Sequence, residues 1–277
     1  MRCASDPLFR GLVDDAALFP PGNAPMDVAL REHQHYRAAP WAAAVGPFLC
    51  PASRIEEFVS AASPGDPVSV ALIFDVTSEA LLRACRAWLD YGGVAHWEAV
   101  YGRHGLDAKV FSDGSTGQGL TAFLEVPRTG FESALDLVGS LRGFAAKYRT
   151  GGKTAEAFPT EDELAAFLVA CTRRGLAFKL TAGLHHAVRW TSEEGFEQHG
   201  VLNVLVATRV ALTGGTTDDI VAVLAEQRPA PLVGFVQEWD EATCADVRNA
   251  FRSFGCCGVT DPLRDLQALG VLEAESP

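Results

Sequence analysis

Apolar and polar positions along this chain repeat in a two-part unit. A short hydrophobic run of strand length is followed by a longer segment with helical spacing. After Pro40, "WAAAVGPFLCP" reads as a strand and "RIEEFVSAAS" as a helix. "VSVALIFDV" and "SEALLRACRAWLDYG" repeat the pair. "VAHWEAVYG" is a third strand, followed by the Gly- and Ser-rich connection "RHGLDAKVFSDGSTGQG". "LTAFLEVP" with "GFESALDLVGSLR", and "FAAKYRTGG" with "TEDELAAFLVACTRRG", continue the rhythm. The last of these helices has an acidic first turn and a basic last turn, as the helix dipole favours. "AFKLTAGLHH" is a sixth strand. Beyond it "HGVLNVLVATRVAL", "TTDDIVAVLAEQR", "EATCADVRNAFRSFG" and "DPLRDLQALGVL" read as helices, and "PLVGFVQEW" is open to a strand reading. Residues 1–40 read as an N-terminal arm, with loop chemistry in "LFPPGNAP" and a helix in "MDVALREHQHYRAA".

Six β-α units without a break in composition predict a single α/β domain, residues 1–277, around a parallel sheet. An open nucleotide-binding sheet is expected to carry a Gly-rich turn after its first strand. Here that turn is "CPASRIEE", with no glycine. The polar residues gather instead at the ends of the third to sixth strands, as they do at the C-terminal face of a barrel. The expectation is a TIM-barrel-like (β/α)8 fold over residues 41–277, with an irregular seventh and eighth unit.

Composition narrows the function classes. The 277 residues carry 35 acidic against 23 basic side chains, a net charge of −12. That balance lacks the electrostatic footprint of a nucleic-acid binder and opposes an anionic membrane surface. No apolar run at the start is long enough for a signal peptide or a spanning helix, so the expected compartment is the cytoplasm. Seven scattered cysteines without a C-x-x-C pair fit reduced thiols, with neither a disulfide nor a structural zinc site. The expected partner is a small-molecule substrate, with self-association left open and no cofactor implied.

The strand ends, read in order, present Glu98, Glu125, Lys147 with Arg149, and Lys179 with Thr181. Residues i and i+2 of a strand share a face, so Lys147 and Arg149 point one way, as do Lys179 and Thr181. One acid neutralising one lysine is ordinary core packing. Four neighbouring strands doing so together is harder to assign to packing, because buried ion pairs rarely repay their desolvation. A lysine beside other cations has a depressed pKa and can attack a carbonyl as the neutral amine. On that reading Lys147 and Arg149 lower the pKa of Lys179.

"KYRTGG" and "KLTAGLHH" resemble the Lys-x-Ser/Thr-x-Gly strand ends of class I aldolases, in particular barrels of the deoxyribose-phosphate aldolase type. The resemblance covers about fifteen residues and implies a Schiff-base lysine at Lys179, with Lys147 as its perturbing neighbour. It departs from that family in placing the second lysine on the preceding strand and in showing no clear phosphate-binding Gly-Gly loop. The stretches "LVDDAALFPPG", "GGKTAEAFPT" and "TAGLHHAVR" look like those of a bacterial protein family across most of the chain, a resemblance that brings no activity with it.

The remaining motifs are less directive. His185, His186, His199 and Asn203 are expected near the substrate, with a neutral histidine acting as acid or base at the rim. A metal centre from His185 or His186 with His199 and Glu125 has no supporting ligand spacing, so no metal is expected. "GGTTDD" reads as a helix start capped by Thr217 or Asp218 rather than an anion cradle. Cys256 and Cys257 read as packing rather than nucleophiles. Asp14 and Asp15 either fold over the barrel mouth or cap a turn.

The resulting expectation is an aldolase- or lyase-type enzyme acting on a small carbonyl compound such as a sugar acid or oxo acid. Lys179 forms or polarises the carbonyl adduct, Lys147 lowers its pKa, Arg149 holds a carboxylate or phosphate, and Glu125 or Glu98 moves the proton. Two alternatives keep the same pocket: a non-covalent isomerase or epimerase, and a non-catalytic binder of a small anionic metabolite.

Overall fold

A computed structural model of the chain describes residues 2–3, 6–62, 68–75, 94–100 and 120–273. Its strands are β1 (Arg2–Cys3), β2 (Val13–Asp15), β3 (Val45–Pro51), β4 (Val70–Ile73), β5 (Val94–Val100), β6 (Thr121–Glu125), β7 (Phe144–Arg149), β8 (Phe178–Thr181), β9 (Trp190–Thr191), β10 (Glu197–Gln198), β11 (Phe251–Cys256) and β12 (Leu272–Glu273). The helices are α1 (Met26–Arg37), α2 (Ile55–Ala61), α3 (Glu132–Ser140), α4 (Glu161–Arg173), α5 (Val201–Leu212), α6 (Thr217–Ala225), α7 (Pro229–Gln237), α8 (Glu241–Ala250) and α9 (Thr260–Ala268). Eight of the strands close in the order β11-β2-β3-β4-β5-β6-β7-β8, all neighbours parallel. The fold is a (β/α)8 barrel.

Three expectations are corrected. The segment read as an arm contains the barrel's first strand, β2, so the strand at Phe178–Thr181 is the seventh and not the sixth. Only three residues long and two-thirds acidic, "VDD" has no apolar alternation to announce it. "EATCADVRNAFRSFG" is not helical throughout: α8 stops at Ala250 and the eighth strand, β11, begins at once with Phe251. "PLVGFVQEW" is the helix α7, started by Pro229 at its first position, where the missing N–H costs nothing. The helix expected over "SEALLRACRAWLDYG" and the connection "RHGLDAKVFSDGSTGQG" lie outside the described residues.

Outward-facing residues of the later strands pack under the helices. Tyr148 stacks on Phe167 of α4 with ring centroids 4.4 Å apart, and Phe178 lies against Phe251 at 5.5 Å. The same strands turn their alternate residues into the barrel, as the period-two pleat requires. On the β3–β4 side the interior is apolar, filled by Ala16, Leu49 and Ala71 with Phe19 and Ile73. On the β5–β8 side it is filled by charge. Among the described residues six cysteines are free, and no helix is long and apolar enough to cross a membrane.

Candidate active site

Lateral register sets the charged side chains in place. Glu125 on β6 is opposite Lys147 on β7, and Lys147 is opposite Lys179 on β8. Two lysines side by side across strands repel each other unless an anion comes between them. Glu98 of β5 does so. Its Oε1 accepts from Lys179 Nζ, and its Oε2 lies 2.7 Å from Lys147 Nζ, at an angle that makes it an ion pair rather than an aligned hydrogen bond.

Lys179 is completely buried, and its ammonium is surrounded by acceptors. Besides Glu98 it donates to Asp14 Oδ2 at 2.6 Å, and His96 Nε2 lies 3.3 Å away. The Phe123 ring sits 5.5 Å from the same nitrogen, its face offering further stabilisation of the cation. Ser253 on β11 donates to Asp14 Oδ2 at 2.7 Å. His96 Nε2 is also 2.9 Å from Glu98 Oε1. With Lys179 protonated, that nitrogen either accepts from the lysine or carries a proton and donates to the glutamate.

The network then runs outward. Lys147 Nζ is 3.1 Å from Glu125 Oε2, and Arg149 donates from Nε to Glu125 Oε1 at 3.0 Å. Exposure rises along this path: the Lys179 side chain is 0% exposed, Lys147 4%, Glu125 10% and Arg149 51%. Arg149 is opposite Thr181 on β8, and Thr181 Oγ1 would lie 3.6 Å from a side chain placed at Gly255 of β11. The open end of the network is therefore the strands' C-terminal end.

The electrostatics overturn one expectation. Burial alone would lower the Lys179 pKa, but Asp14 and Glu98 outweigh it and hold the ammonium above the ordinary lysine value. The sequence pointed to Lys147 and Arg149 as its decisive neighbours, whereas carboxylates are nearer. Burial works to raise Glu98, yet Lys147 and Lys179 hold it well below the usual carboxylate range. Glu125 is also lowered, by Lys147 and then Arg149, against its own burial.

The structure brings together Glu98, Glu125, Lys147, Arg149 and Lys179, while the hydrogen bonds of His185, His186 and His199 go elsewhere. His185 Nδ1 lies 3.5 Å from Cys256 Sγ, and burial lowers its pKa. His186 Nδ1 is 2.8 Å from Asp265 Oδ2, with its ring against Trp190. His199 is buried: Nε2 donates to the Pro159 carbonyl at 2.9 Å, and burial lowers its pKa to about 4. Asn203 accepts from the Arg189 N–H at 2.9 Å and donates to the Val223 and Glu226 carbonyls at 2.8 and 2.7 Å. His199 and Asn203 therefore hold a loop onto the helices α4–α6. His185, His186, His199 and Glu125 share no metal locus.

Burial pushes the Cys256 thiol well above its ordinary pKa, leaving a neutral group that donates to the Gly258 carbonyl at 3.3 Å. The α6 start is capped by Thr216 with Asp219 in a reciprocal capping box, one residue before the expected Thr217.

Three participants were not identified from the sequence as site residues. Asp14 is neither a lid nor a turn cap; it points into the barrel, while Asp15, next along the strand, points out to His33 at 3.0 Å. His96 stands two residues before Glu98 on one strand face, a signal that the i, i+2 rule makes readable. Ser253 lay hidden in a segment read as helix. Among the described residues, Asp14, His96 and Glu98 offer the one group of ligand atoms close enough for a metal ion, all within 4.8 Å of one another. Lys179 Nζ contacts all three, so its ammonium already holds the place between them. No protein-family model matches the chain, and no curated protein matches it.

Proposed function

We propose that this barrel is an enzyme that moves a proton beside the carbonyl of a small anionic, oxygenated compound, as an isomerase or epimerase does, without a covalent adduct. The observation that carries this reading is the outward gradient of the network, which ends in Lys147, Glu125 and the half-exposed Arg149 at the strands' C-terminal end. Arg149 offers a planar fork for a substrate carboxylate or phosphate. Lys147 stabilises the negative charge that develops on the carbonyl oxygen as the proton leaves.

Glu125 is the base. Its lowered pKa keeps it ionised but makes it weak, and the weakness has a built-in remedy. When Arg149 turns to a bound anion, Glu125 loses one of the two cations that lower its pKa, and its basicity rises at the moment of need. Lys179 is a positioning residue in this scheme, fixing Glu98 between the two lysines. A Schiff base at Lys179 has little support, because its amine is held as ammonium by Asp14 and Glu98.

The test is proton exchange in D2O across a panel of sugar acids and oxo acids, followed by NMR. Exchange at a carbon next to the carbonyl is expected, and Glu125→Gln should slow it about 100-fold or more. No exchange with any compound, undiminished exchange in Glu125→Gln, or borohydride trapping of substrate on a lysine would each overturn the proposal.

A further inference from the structure

The mouth of the barrel at the C-terminal ends of the strands has two unlike halves. Strands β6, β7 and β8 present Glu125, Arg149 and Thr181 there. On the far side the inward faces carry hydrocarbon: Ala16 follows β2, Leu49 stands on β3, and Ile73 ends β4 opposite Glu98. Val100, two residues past Glu98, shares its face and is opposite Glu125. Leu49 carries this half as far as β11, where its Cδ1 would be 3.0 Å from a side chain placed at Gly255.

Part of the apolar half stays within a ligand's reach. Phe19, Ile73 and Val100 are partly exposed, while Leu49 and Ala71 behind them are closed off. Phe19 and Ile73 pack on the same interior cluster, so their uncovered surface borders the mouth. A hydroxyl placed against these three side chains gives up water and finds no partner in them, whereas a methylene gains from the contact. A site that reads hydroxyl groups lines itself with donors and acceptors, and here only the β6–β8 half does so.

We infer that the substrate is a 2-oxo acid with a short hydrocarbon chain and not a polyhydroxylated sugar acid. The inference rests on the proposed function for the polar end of the molecule, with the carboxylate on Arg149 and the carbonyl oxygen toward Lys147. The carbon chain then crosses the mouth onto Val100, Ile73 and Phe19. Glu125 is opposite Val100 on the adjacent strand, at the border between the two halves. That border is where the carbon next to the carbonyl belongs, within reach of the base.

Calorimetric titration of the full chain with pyruvate, 2-oxobutanoate, 2-oxopentanoate, 2-oxohexanoate and 4-hydroxy-2-oxopentanoate tests the inference. Affinity is expected to rise about fourfold with each added methylene. The hydroxylated acid should bind about tenfold more weakly than 2-oxopentanoate, whose chain it otherwise matches. Ile73→Thr and Val100→Thr each put a hydroxyl on the apolar wall and should shrink that ratio to about threefold or less. A ratio of two ligands on one variant does not depend on how much of the variant is folded. The inference is overturned if none of the acids binds, if affinity ignores chain length, if the hydroxylated acid binds as tightly as 2-oxopentanoate, or if neither variant changes the ratio. Binding that strengthens with chain length but brings no proton exchange in D2O would remove the catalytic reading and leave this inference standing.

Discussion

Two polar clusters in this molecule each set glutamates against a cationic side chain and differ in what their hydrogen bonds reach. In the barrel interior, Lys179, Lys147, Glu98, Glu125 and Asp14 bind one another, side chain to side chain, from five different strands. In the second cluster Arg189 joins Glu161 at 2.7 Å and Glu197 at 3.1 Å, while His199 and Asn203 reach backbone groups at Pro159, Arg189, Val223 and Glu226. The neutral side chains of His199 and Asn203, bonded to backbone carbonyls and an N–H, replace secondary structure where a loop has none. Charges bonded only to other side chains satisfy no backbone need, and that leaves chemistry as the better reason for their presence. The difference separates candidate catalytic groups from fasteners better than burial or residue type does.

The largest effect expected from this comparison is on stability. Lys179→Met leaves Asp14 and Glu98 ionised and enclosed without their shared cation, a situation that costs about 3–5 kcal/mol. Arg189→Met should cost less. Its carboxylate partners have side chains 21% and 47% exposed, so water can take over from the lost guanidinium. Denaturant melts of the two variants decide the matter. Equal losses would mean that the interior network is no more enclosed than the loop cluster.

The same contrast explains what the sequence made legible. Lys147, Lys179, Glu98, Glu125 and Arg149 were readable because each stands on a strand with clear apolar flanks, where the two-residue period fixes its face. Asp14 was not, since a three-residue strand gives no period to count, and its partner Lys179 lies 165 residues away. Ser253 was lost with the strand that follows α8 without a loop. The bonds of His199 and Asn203 were hidden for the opposite reason. Polar residues between helices look available to a ligand, and nothing local reveals that the carbonyls of Pro159, Val223 and Glu226 are waiting for them. The sign of the Lys179 shift depended on which neighbour was nearer, a distance that no pattern along the chain contains.

A second, somewhat smaller effect is on acid stability. The His199 pKa falls from 6.5 in the unfolded chain to about 4 in the fold, mainly through burial. Between those values the unfolded state binds the proton and the folded state does not. Stability is therefore full above pH 6.5 and declines as pH drops toward 4, by roughly 3 kcal/mol in all. The interior carboxylates act in a different window. Glu98 and Glu125 have folded values below 4.5, so their contribution persists down to about pH 4.5 and is lost only as pH falls further, through those folded values. His199→Gln can keep a donor toward Pro159 while removing the titration. Its stability should decline less from pH 6.5 to 5 than that of wild type, with His185, whose pKa burial also lowers, supplying what decline is left. An equally steep decline in both proteins would assign the acid sensitivity elsewhere.

The smallest effect is also the most local. A Cβ at Gly46 of β3 would stand 2.1 Å from Asp14 Oδ1 and 3.3 Å from the Val13 carbonyl oxygen. No side chain fits there while Asp14 keeps its place, so Gly46→Ala should rotate the carboxylate away from Lys179 and Ser253. The obstacle is the end of a side chain rather than backbone, and the barrel should accommodate the methyl group for about 1–2 kcal/mol. The informative readout is at high pH. Lys179 has a raised folded pKa, so its stabilising contribution is complete below the unfolded value of 10.5 and disappears as pH climbs through the folded one. Asp14 is the larger of the two carboxylate influences that raise it. With Asp14 displaced, the folded pKa of Lys179 drops, so the alkaline loss of stability, which begins near the unfolded value in both proteins, becomes smaller and its end point shifts to lower pH. Denaturation curves of Gly46→Ala from pH 8 to 11 should show that shift, and an unshifted alkaline limb would mean that Glu98 alone holds the ammonium.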